Sequence, residues 1–494
     1  MKTLRLAFYL FSLIIVTALV SCSSSSDKKN KTNVEQQEEK GMIFTSSDST
    51  LVRSFNWAKH KALSYVGDSN DPSGPWYEAA LPQREAFCMR DVSHQCIAAE
   101  YLGLHEQNLN MMRLFVKNIS ESKDWCSYWE INRYNKPAPE DYRNDKEFWY
   151  NLPANFDVIQ ACYHLYLISG DKTYIEDPVF LNFYEKSVNE YIDRWKLNVD
   201  QLLTRDAHIN EPQPYNPKDP FHYARGIASY IESGGDLRMG YDLVAAIYAG
   251  LNSYAAILDL NGKKEEGEKY RKRAVLYQKH LHDKWWDDSK RTYFALYTTE
   301  NKFKHSEPVT FLLWFNAVSD RERLAYVIED LAKRQYNVES TSYLPYMFYQ
   351  HGIKDKAYYF MNALTQKENK RRDYPEVSYG VIHGFVEGLM GVEVDHSENT
   401  VGVKSNLTEK TAWAKLDNLE VMSTVLSVKH SGDNSTVVEN KGKNSIKLRI
   451  GFDDKYNKIL INGKVVSIVN DEDDHSVFCI VDCKPGETVT AVAE

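Results

Sequence analysis

The chain has 494 residues, 43% hydrophobic and 13% aromatic, which is enough apolar surface for one large core or two domains. Its formal charge of -9 excludes nucleic acid as a partner, because phosphate binding needs a basic face and no Lys/Arg run supplies one. Besides Cys22, the cysteines Cys88, Cys96, Cys126, Cys162, Cys479 and Cys483 form no CxxC or Cys/His spacing that would hold zinc, so no metal or other cofactor is expected. They read as buried small hydrophobes, with room for one disulfide.

The first residues carry an address. Lys2 and Arg5 precede an apolar run over 6–20, shorter than the roughly 20 residues needed to span a bilayer. Leu19-Val20-Ser21-Cys22 then reads as a lipobox, with 1–22 a signal peptide and Cys22 the acylated residue. This predicts a lipoprotein of the outer membrane that touches the bilayer only through its N-terminal lipid. Residues 23–42 are polar and charged, a composition that cannot fold alone, and read as a disordered tether.

Over 43–395 a loose repeat follows. Four apolar helical stretches close on glycine-containing turns, at Leu102-Gly103-Leu104, Ile168-Ser169-Gly170-Asp171, Leu260-Asn261-Gly262-Lys263 and Gln350-His351-Gly352, and an amphipathic stretch comes after each. The stretches 155–166 and 243–248 are apolar nearly all round, whereas 180–195 and 263–286 are charged on one side. That contrast predicts inner and outer helices, hence a mainly α chain whose hairpins close into an α/α barrel, with a flat helical solenoid as the alternative. No parallel sheet is expected before residue 395. Beyond 394, period-two segments at 421–429, 445–452, 458–465 and 476–481 predict a small C-terminal antiparallel β-sandwich domain over 396–494 that packs on the barrel.

Long polar loops between buried helices usually carry function. Four occur here. The loop over 74–95 holds Arg84, Arg90 and His94, the last two one helical turn apart; that over 125–155 holds Trp129, Arg143, Trp149, Tyr150 and Asn155. The loop over 208–236 holds His208, Tyr223, Arg225, Tyr230, Glu232 and Asp236, and that over 371–383 holds Tyr374, Glu376 and Tyr379. Aromatic rings at this density stack on sugar faces while Arg, Asn and Asp satisfy hydroxyls, so the expected partner is an oligosaccharide or polysaccharide. Arg84, Arg90, Trp129, Arg143, Trp149, Tyr150, Asn155, Arg225, Tyr230 and Asp236 are the candidate binding residues.

The segment ending in Arg90-Asp91, the stretch Phe148-Trp149-Tyr150-Asn151-Leu152-Pro153-Ala154-Asn155, the turn Glu232-Ser233-Gly234-Gly235-Asp236 and Pro375-Glu376-Val377 resemble the six-hairpin (α/α)6 carbohydrate-active enzymes of Bacteroidetes lipoproteins. That group includes α-L-rhamnosidase-like hydrolases and the rhamnosyl-glucuronate lyases of polysaccharide lyase family 27. The resemblance covers roughly 45–395 and continues into the β domain. It implies an (α/α)6 toroid and action on uronate- and rhamnose-containing glycans such as ulvan or arabinogalactan side chains.

Two reactions compete. In hydrolysis one carboxylic acid protonates the leaving oxygen and a carboxylate activates water; Glu376 with Glu232 or Asp236 would form the pair. In β-elimination at a glucuronyl residue, an arginine neutralises the uronate and a base removes its C5 proton. Arg84, Arg90, Arg143 and Arg225 are candidate clamps, with His94, His208, Tyr223, Tyr374 and Tyr379 as base or acid. The excess of Arg, His and Tyr makes elimination, by a lyase or dehydratase leaving an unsaturated uronic acid, the main expectation. An inverting hydrolase is the alternative, and a glycan-binding lipoprotein without turnover is a third.

Overall fold

The computed structural model describes residues 41–206, 218–219, 221, 224–232, 236–334, 336–471 and 475–494. The signal, Cys22, the tether up to residue 40, His208 and Tyr223 lie outside the described residues.

Apart from the short helices Thr173–Glu176 and Glu190–Arg194, the α-helices of the described residues alternate between two layers: α1 (Ser49–Leu63), α2 (Met89–Tyr101), α3 (His105–Val116), α4 (Ala154–Ser169), α5 (Pro178–Val188), α6 (Tyr241–Leu260), α7 (Lys264–Lys284), α8 (Thr310–Trp314), α9 (Arg321–Leu331), α10 (Val338–Gln350), α11 (Lys354–Thr365) and α12 (Pro375–His383). The even-numbered helices touch in the cyclic order α2, α4, α6, α8, α10, α12 and back to α2. Burial follows the sequence contrast. Phe156, Val158, Ile159, Cys162 and Leu165 of α4 are fully buried, as are Leu243 to Ile247 of α6, whereas the 21-residue α7 buries only Gly267, Ala274, Tyr277 and Leu281. An inner ring with an outer layer results.

Gly103, Gly170, Gly262 and Gly352 end α2, α4, α6 and α10 with φ of 80°, 77°, 76° and 73°. A left-handed residue at this position reverses the chain, and glycine adopts it without steric cost. Each such turn hands an inner helix to the following outer one, so these four inner helices begin at the opposite end of the ring.

Strands are not confined to the C-terminal region. Before α1 lies β1 (Ile43–Ser46), and β2 (Ala86–Cys88), β3 (Glu130–Asn132), β4 (Tyr150–Asn151), β5 (Arg225–Ile227) and β6 (Leu237–Gly240) lie in the loops that enter inner helices. β4 and β5 form a short parallel pair, Tyr150 opposite Arg225 and Asn151 opposite Ile227, contrary to the expectation of none before residue 395. The chain is therefore mixed, 41% helical and 24% strand, rather than mainly α. The cause is physical: backbone groups in loops packed over a core need partners away from water, and neighbouring loops provide them.

The C-terminal region forms two sheets from β7 (Glu393–Asp395), β8 (Thr400–Lys404), β9 (Trp413–Val421), β10 (Thr424–Ser431), β11 (Ser435–Asn440), β12 (Ile446–Asp453), β13 (Ile459–Ile461), β14 (Lys464–Val466), β15 (Val469–Asp471), β16 (Ser476–Cys483) and β17 (Thr488–Ala493). One runs β1-β9-β10-β11-β17-β13-β14 and the other β7-β8-β12-β16-β15. Pairing is antiparallel except between β8 and β12, so the expected all-antiparallel sandwich is corrected at that pair. The Asn462-Gly463 hairpin, with φ of 49° and 79°, joins β13 to β14 as its sequence predicts. The sheets dock on the helices: Met422 N–H donates to the Ile168 carbonyl at 2.8 Å, and His430 Nε2 to that of Met390 at 3.0 Å. The six described cysteines are buried free thiols.

The turn glycines give a graded test. Gly262→Ala meets no neighbour within 4 Å and should cost about 1 kcal/mol, the left-handed penalty alone. Gly170→Ala should cost clearly more in urea denaturation, because its new methyl lies 2.7 Å from the His396 ring. Equal losses would refute this account of the turns.

Candidate active site

The inner helices converge at their N-termini, and five of the six carry a carboxylate in the first turn: Asp91, Asp157, Asp242, Glu339 and Glu376. The positive end of each helix dipole favours an acid there. Local structure sets the ring's registry. β2 pairs with β3, Cys88 opposite Glu130, and Met89 N–H donates to the Trp129 carbonyl at 2.8 Å as α2 begins. This brings Trp129 beside Arg90, whose guanidinium lies 5.8 Å from the Trp129 ring centre and 5.2 Å from that of Tyr230.

A second clamp holds the segment after β5. The Asp242 carboxylate accepts from Ser229 Oγ at 2.8 Å and from Tyr230 N–H at 2.5 Å. A Cβ at Gly240 would lie 2.3 Å from that carboxylate, so glycine is required there. The clamp delivers Tyr230 and Glu232 to the mouth of the ring.

Arg90 is the centre of the site. Its Nε lies 3.2 Å from Glu339 Oε1 and its Nη1 3.7 Å from Glu232 Oε1. Burial pulls its pKa down, but the carboxylates of Glu339, Asp91 and Glu232 outweigh that and keep it protonated. The acids respond to burial in the other direction. Glu376 is pushed up to about 8, by burial first and then by the charges of Asp91 and Glu339. Burial also raises Asp91, Glu232 and Glu307, with Arg90 opposing it at each. The Glu232 side chain remains 40% exposed and accepts from Asn151 Nδ2 at 3.3 Å, so solvent reaches it.

Beneath this rim lies an aromatic floor. His94 Nδ1 is hydrogen-bonded to the Tyr343 hydroxyl at 3.0 Å, its Nε2 lies 3.3 Å from Asp157 Oδ1 without a hydrogen bond, and the Tyr230 hydroxyl donates to the same Asp157. Trp314 and Tyr343 pack on the His94 ring with centroids at 5.0 and 5.1 Å, and Phe311 lies 5.3 Å from Tyr230. Apolar faces beneath a carboxyl rim match the alternation of C–H faces and hydroxyls on a sugar ring.

Of the residues expected here, the cluster gathers Arg90, His94, Trp129, Tyr230, Glu232 and Glu376. Others serve the scaffold. Arg84 is tied to Glu130 at 2.8 Å and Asp141 at 3.1 Å; Arg143 meets Asp219 at 3.2 Å on the surface; Arg225 pairs with Asp124 between the Phe148 and Trp195 rings. Tyr150 and Asn155 are buried and bonded to each other at 2.5 Å, with Asn155 also donating to Ser187 at 2.9 Å. Trp149 donates to Asn151 at 2.7 Å and so supports Glu232 indirectly. Tyr374 leads into α12 with Arg371 over its ring, and the buried Tyr379 donates to the Ala62 carbonyl at 3.2 Å. Asp236 forms an exposed ion pair with Lys304 at 2.5 Å, outside the Arg90 cluster. Sequence reasoning missed Asp91, Asp157, Glu307, Glu339, Phe311, Trp314 and Tyr343. One signal was available for several of them, an acid in the first turn of each all-apolar helix.

No family model and no curated protein matches the chain. Solved structures do. An α-L-rhamnosidase from Dictyoglumus thermophilum aligns over 92% of this chain and 50% of its own length, with 15% identity and a TM-score of 0.59. A GH78 family rhamnosidase of Bacillus sp. GL1 aligns over 81% and 40%, with 11% identity and a TM-score of 0.57. The Streptomyces avermitilis α-L-rhamnosidase complexed with L-rhamnose aligns over 92% and 42%, with 11% identity and a TM-score of 0.53. The chain thus spans half or less of each of these proteins. At such identities the likeness establishes the fold, a helical array with a β domain.

The electrostatics of the ring predict the effect of removing its cation. Arg90→Ala should destabilise the protein by roughly 3–5 kcal/mol, because buried carboxylates lose their counter-charge. The loss should be larger at pH 8 than at pH 5, where protonation relieves their repulsion. A pH-independent loss in thermal unfolding would contradict the arrangement described.

Proposed function

We propose that this chain is an exported glycoside hydrolase of the α-L-rhamnosidase-like type, acting with inversion on rhamnose-containing glycans. Its helical ring is read as an (α/α)6 toroid over 43–395, with β1 lent to the β-sandwich domain over 396–494. The carrying observation is the cluster of acids gathered around Arg90 at the first turns of the inner helices, among which burial and the charges of Asp91 and Glu339 push Glu376 up to about 8. At neutral pH it is a carboxylic acid able to protonate a glycosidic oxygen. Glu232, half-open to solvent and oriented by Arg90 and Asn151, takes a proton from the attacking water. The half-buried Trp314 offers a ring face to the sugar, while Trp129 and Tyr230, buried against Arg90, hold that guanidinium in place. The structural similarity to rhamnosidases supports the same reading.

Elimination, the main expectation from composition, has less support. It needs a cation free to neutralise a uronate, and the candidate arginines are committed: Arg84, Arg143 and Arg225 to acids of neighbouring loops, Arg90 to Glu339 and Glu232. A uronate at Arg90 would face the carboxyl rim. His94, buried beneath the Trp314 and Tyr343 rings with Nδ1 bonded to the Tyr343 hydroxyl and Asp157 beside Nε2, is a positioning group in this arrangement rather than a base.

The assay is hydrolysis of an aryl α-L-rhamnoside and of rhamnose-terminated oligosaccharides, with the product anomer read by NMR. Activity should fall as pH rises through about 8, when Glu376 loses its proton. Glu376→Gln should lower kcat by roughly 10²–10⁴-fold, the usual worth of a general acid. The same shift makes stability fall with pH between the ordinary carboxylate range and about 8, since the folded state holds a proton that the unfolded state releases; the Gln variant should lack this slope. An ultraviolet-absorbing unsaturated uronate, with the Glu376→Gln variant fully active, would overturn the hydrolase reading in favour of elimination.

We also propose that Cys22 carries the lipid that anchors the protein to the outer membrane. Cys22→Ala should move it from the membrane to the soluble fraction after export, and unchanged membrane association would refute the anchor.

A further inference from the structure

We infer that a groove on the outer helices, next to the catalytic mouth, binds a uronate-bearing stretch of the glycan. The inference deepens the proposed function and rests on it for the substrate, though not for the binding itself. The groove encloses about 900 Å³ between α9, α11 and the start of α10. Five cations line it, Lys333, Arg334, Lys356, Lys370 and Arg371, against one carboxylate, Glu329. This concentration stands out in a chain of formal charge -9.

The cations are unequally engaged. Lys333 and Arg334 have acids one turn back on α9, Glu329 at 2.5 Å and Asp330 at 2.8 Å. Among the described residues Lys356 and Lys370 have no ion-pair partner, and Arg371 only lies over the Tyr374 ring at 5.3 Å. Their charge is available to a ligand. Tyr336, Tyr359 and Phe360 supply aromatic faces in the same groove, and Tyr359 is 61% exposed, an unusual position for a large ring on an outer helix. Cations beside rings suit a sugar acid, whose carboxylate pairs while its C–H face stacks.

Position selects the occupant. Val338 and Thr341 line the groove, while Glu339 between them meets Arg90 in the active site. Arg371 lies four residues before Pro375, where the helix carrying Glu376 begins. Groove and catalytic mouth therefore share the first turn of α10. The mouth presents Glu232, Glu307 and Glu339 around Arg90, a carboxylate-rich rim that disfavours an acidic sugar and admits a neutral one. A glycan with a neutral terminal residue and uronates further along the chain satisfies both surfaces at once. A membrane surface is a poorer match, because the cations line a concavity sized for a few sugar units.

Affinity electrophoresis of the full chain with Cys22→Ala tests this, using polygalacturonate and its carboxyl-reduced neutral form as probes. Polygalacturonate should retard the protein and the reduced polymer should not. Lys356→Glu with Lys370→Glu should weaken retardation roughly tenfold or more, the scale of one lost charge-assisted contact. The same double variant should keep its activity on a small aryl rhamnoside, which shows that it folds. Glu376→Gln should bind polygalacturonate as the parent does, so failure of the hydrolase reading would leave this result standing. Equal retardation by both polymers, or full retardation of the double variant, would overturn the proposal. So would binding to phosphatidylglycerol vesicles, lost in the double variant, in the absence of binding to polygalacturonate.

Discussion

The arrangement depends on one interaction, the meeting of the Arg90 guanidinium with carboxylates at the converging N-termini of the inner helices. Six helices closing into a ring bring six positive dipole ends to one face, and acids in the first turn are the natural complement. At close quarters those acids repel one another and lose solvent, so the dipoles alone cannot hold them all ionised. Arg90, on α2 and ion-paired with Glu339 of α10 and Glu232 of the segment after β5, links three parts of the ring through one charge. Its planar fork suits the task, being always protonated and able to serve two acids in different directions.

The loop strands follow from the same constraint. A site built on converging helix ends needs its entering loops fixed, and each loop here gains backbone partners from another: β2 from β3, β4 from β5, β6 from a strand over Leu296–Thr298. The arginines expected to bind substrate act within this framework. Arg84 joins the first and second loops through Glu130 and Asp141, and Arg225 joins the third to the second through Asp124. Charge in these loops is spent on holding them together, and Arg90 is left to face the mouth.

The two layers were legible because burial writes itself into hydrophobic period. The all-apolar α4 and α6, the one-sided α7 and the four glycine turns need no tertiary information to recognise. What periodicity cannot carry is which loops pair, and for that reason β2 to β6 and the parallel contact at Tyr150 and Asn151 were not foreseen. The site was half legible for a related reason. Loop composition pointed to Arg90, Trp129, Tyr230, Glu232 and Glu376, yet gave equal weight to Arg143 and Asp236, which lie on the surface with partners of their own. Glu339 and Asp157 were passed over because they sit inside helices, where an isolated acid reads as a solvated position or a cap.

Equivalent positions do not give equivalent acids, and the difference lies in hydrogen-bond supply. Asp242 is fully buried, yet it accepts from Ser229 Oγ and from backbone N–H groups including that of Tyr230, and its pKa rises only to about 6. Asp157 receives the Tyr230 hydroxyl and faces His94. Glu376 has the backbone N–H of its own helix start and the charge of Arg90 to offset burial and two neighbouring acids, and its pKa rises to about 8. Donors stabilise the ionised form and their absence stabilises the acid. Between Asp242 and Glu376, the one with fewer donors is therefore the one that holds its proton to higher pH, and a proton held at neutral pH is what a general acid must supply.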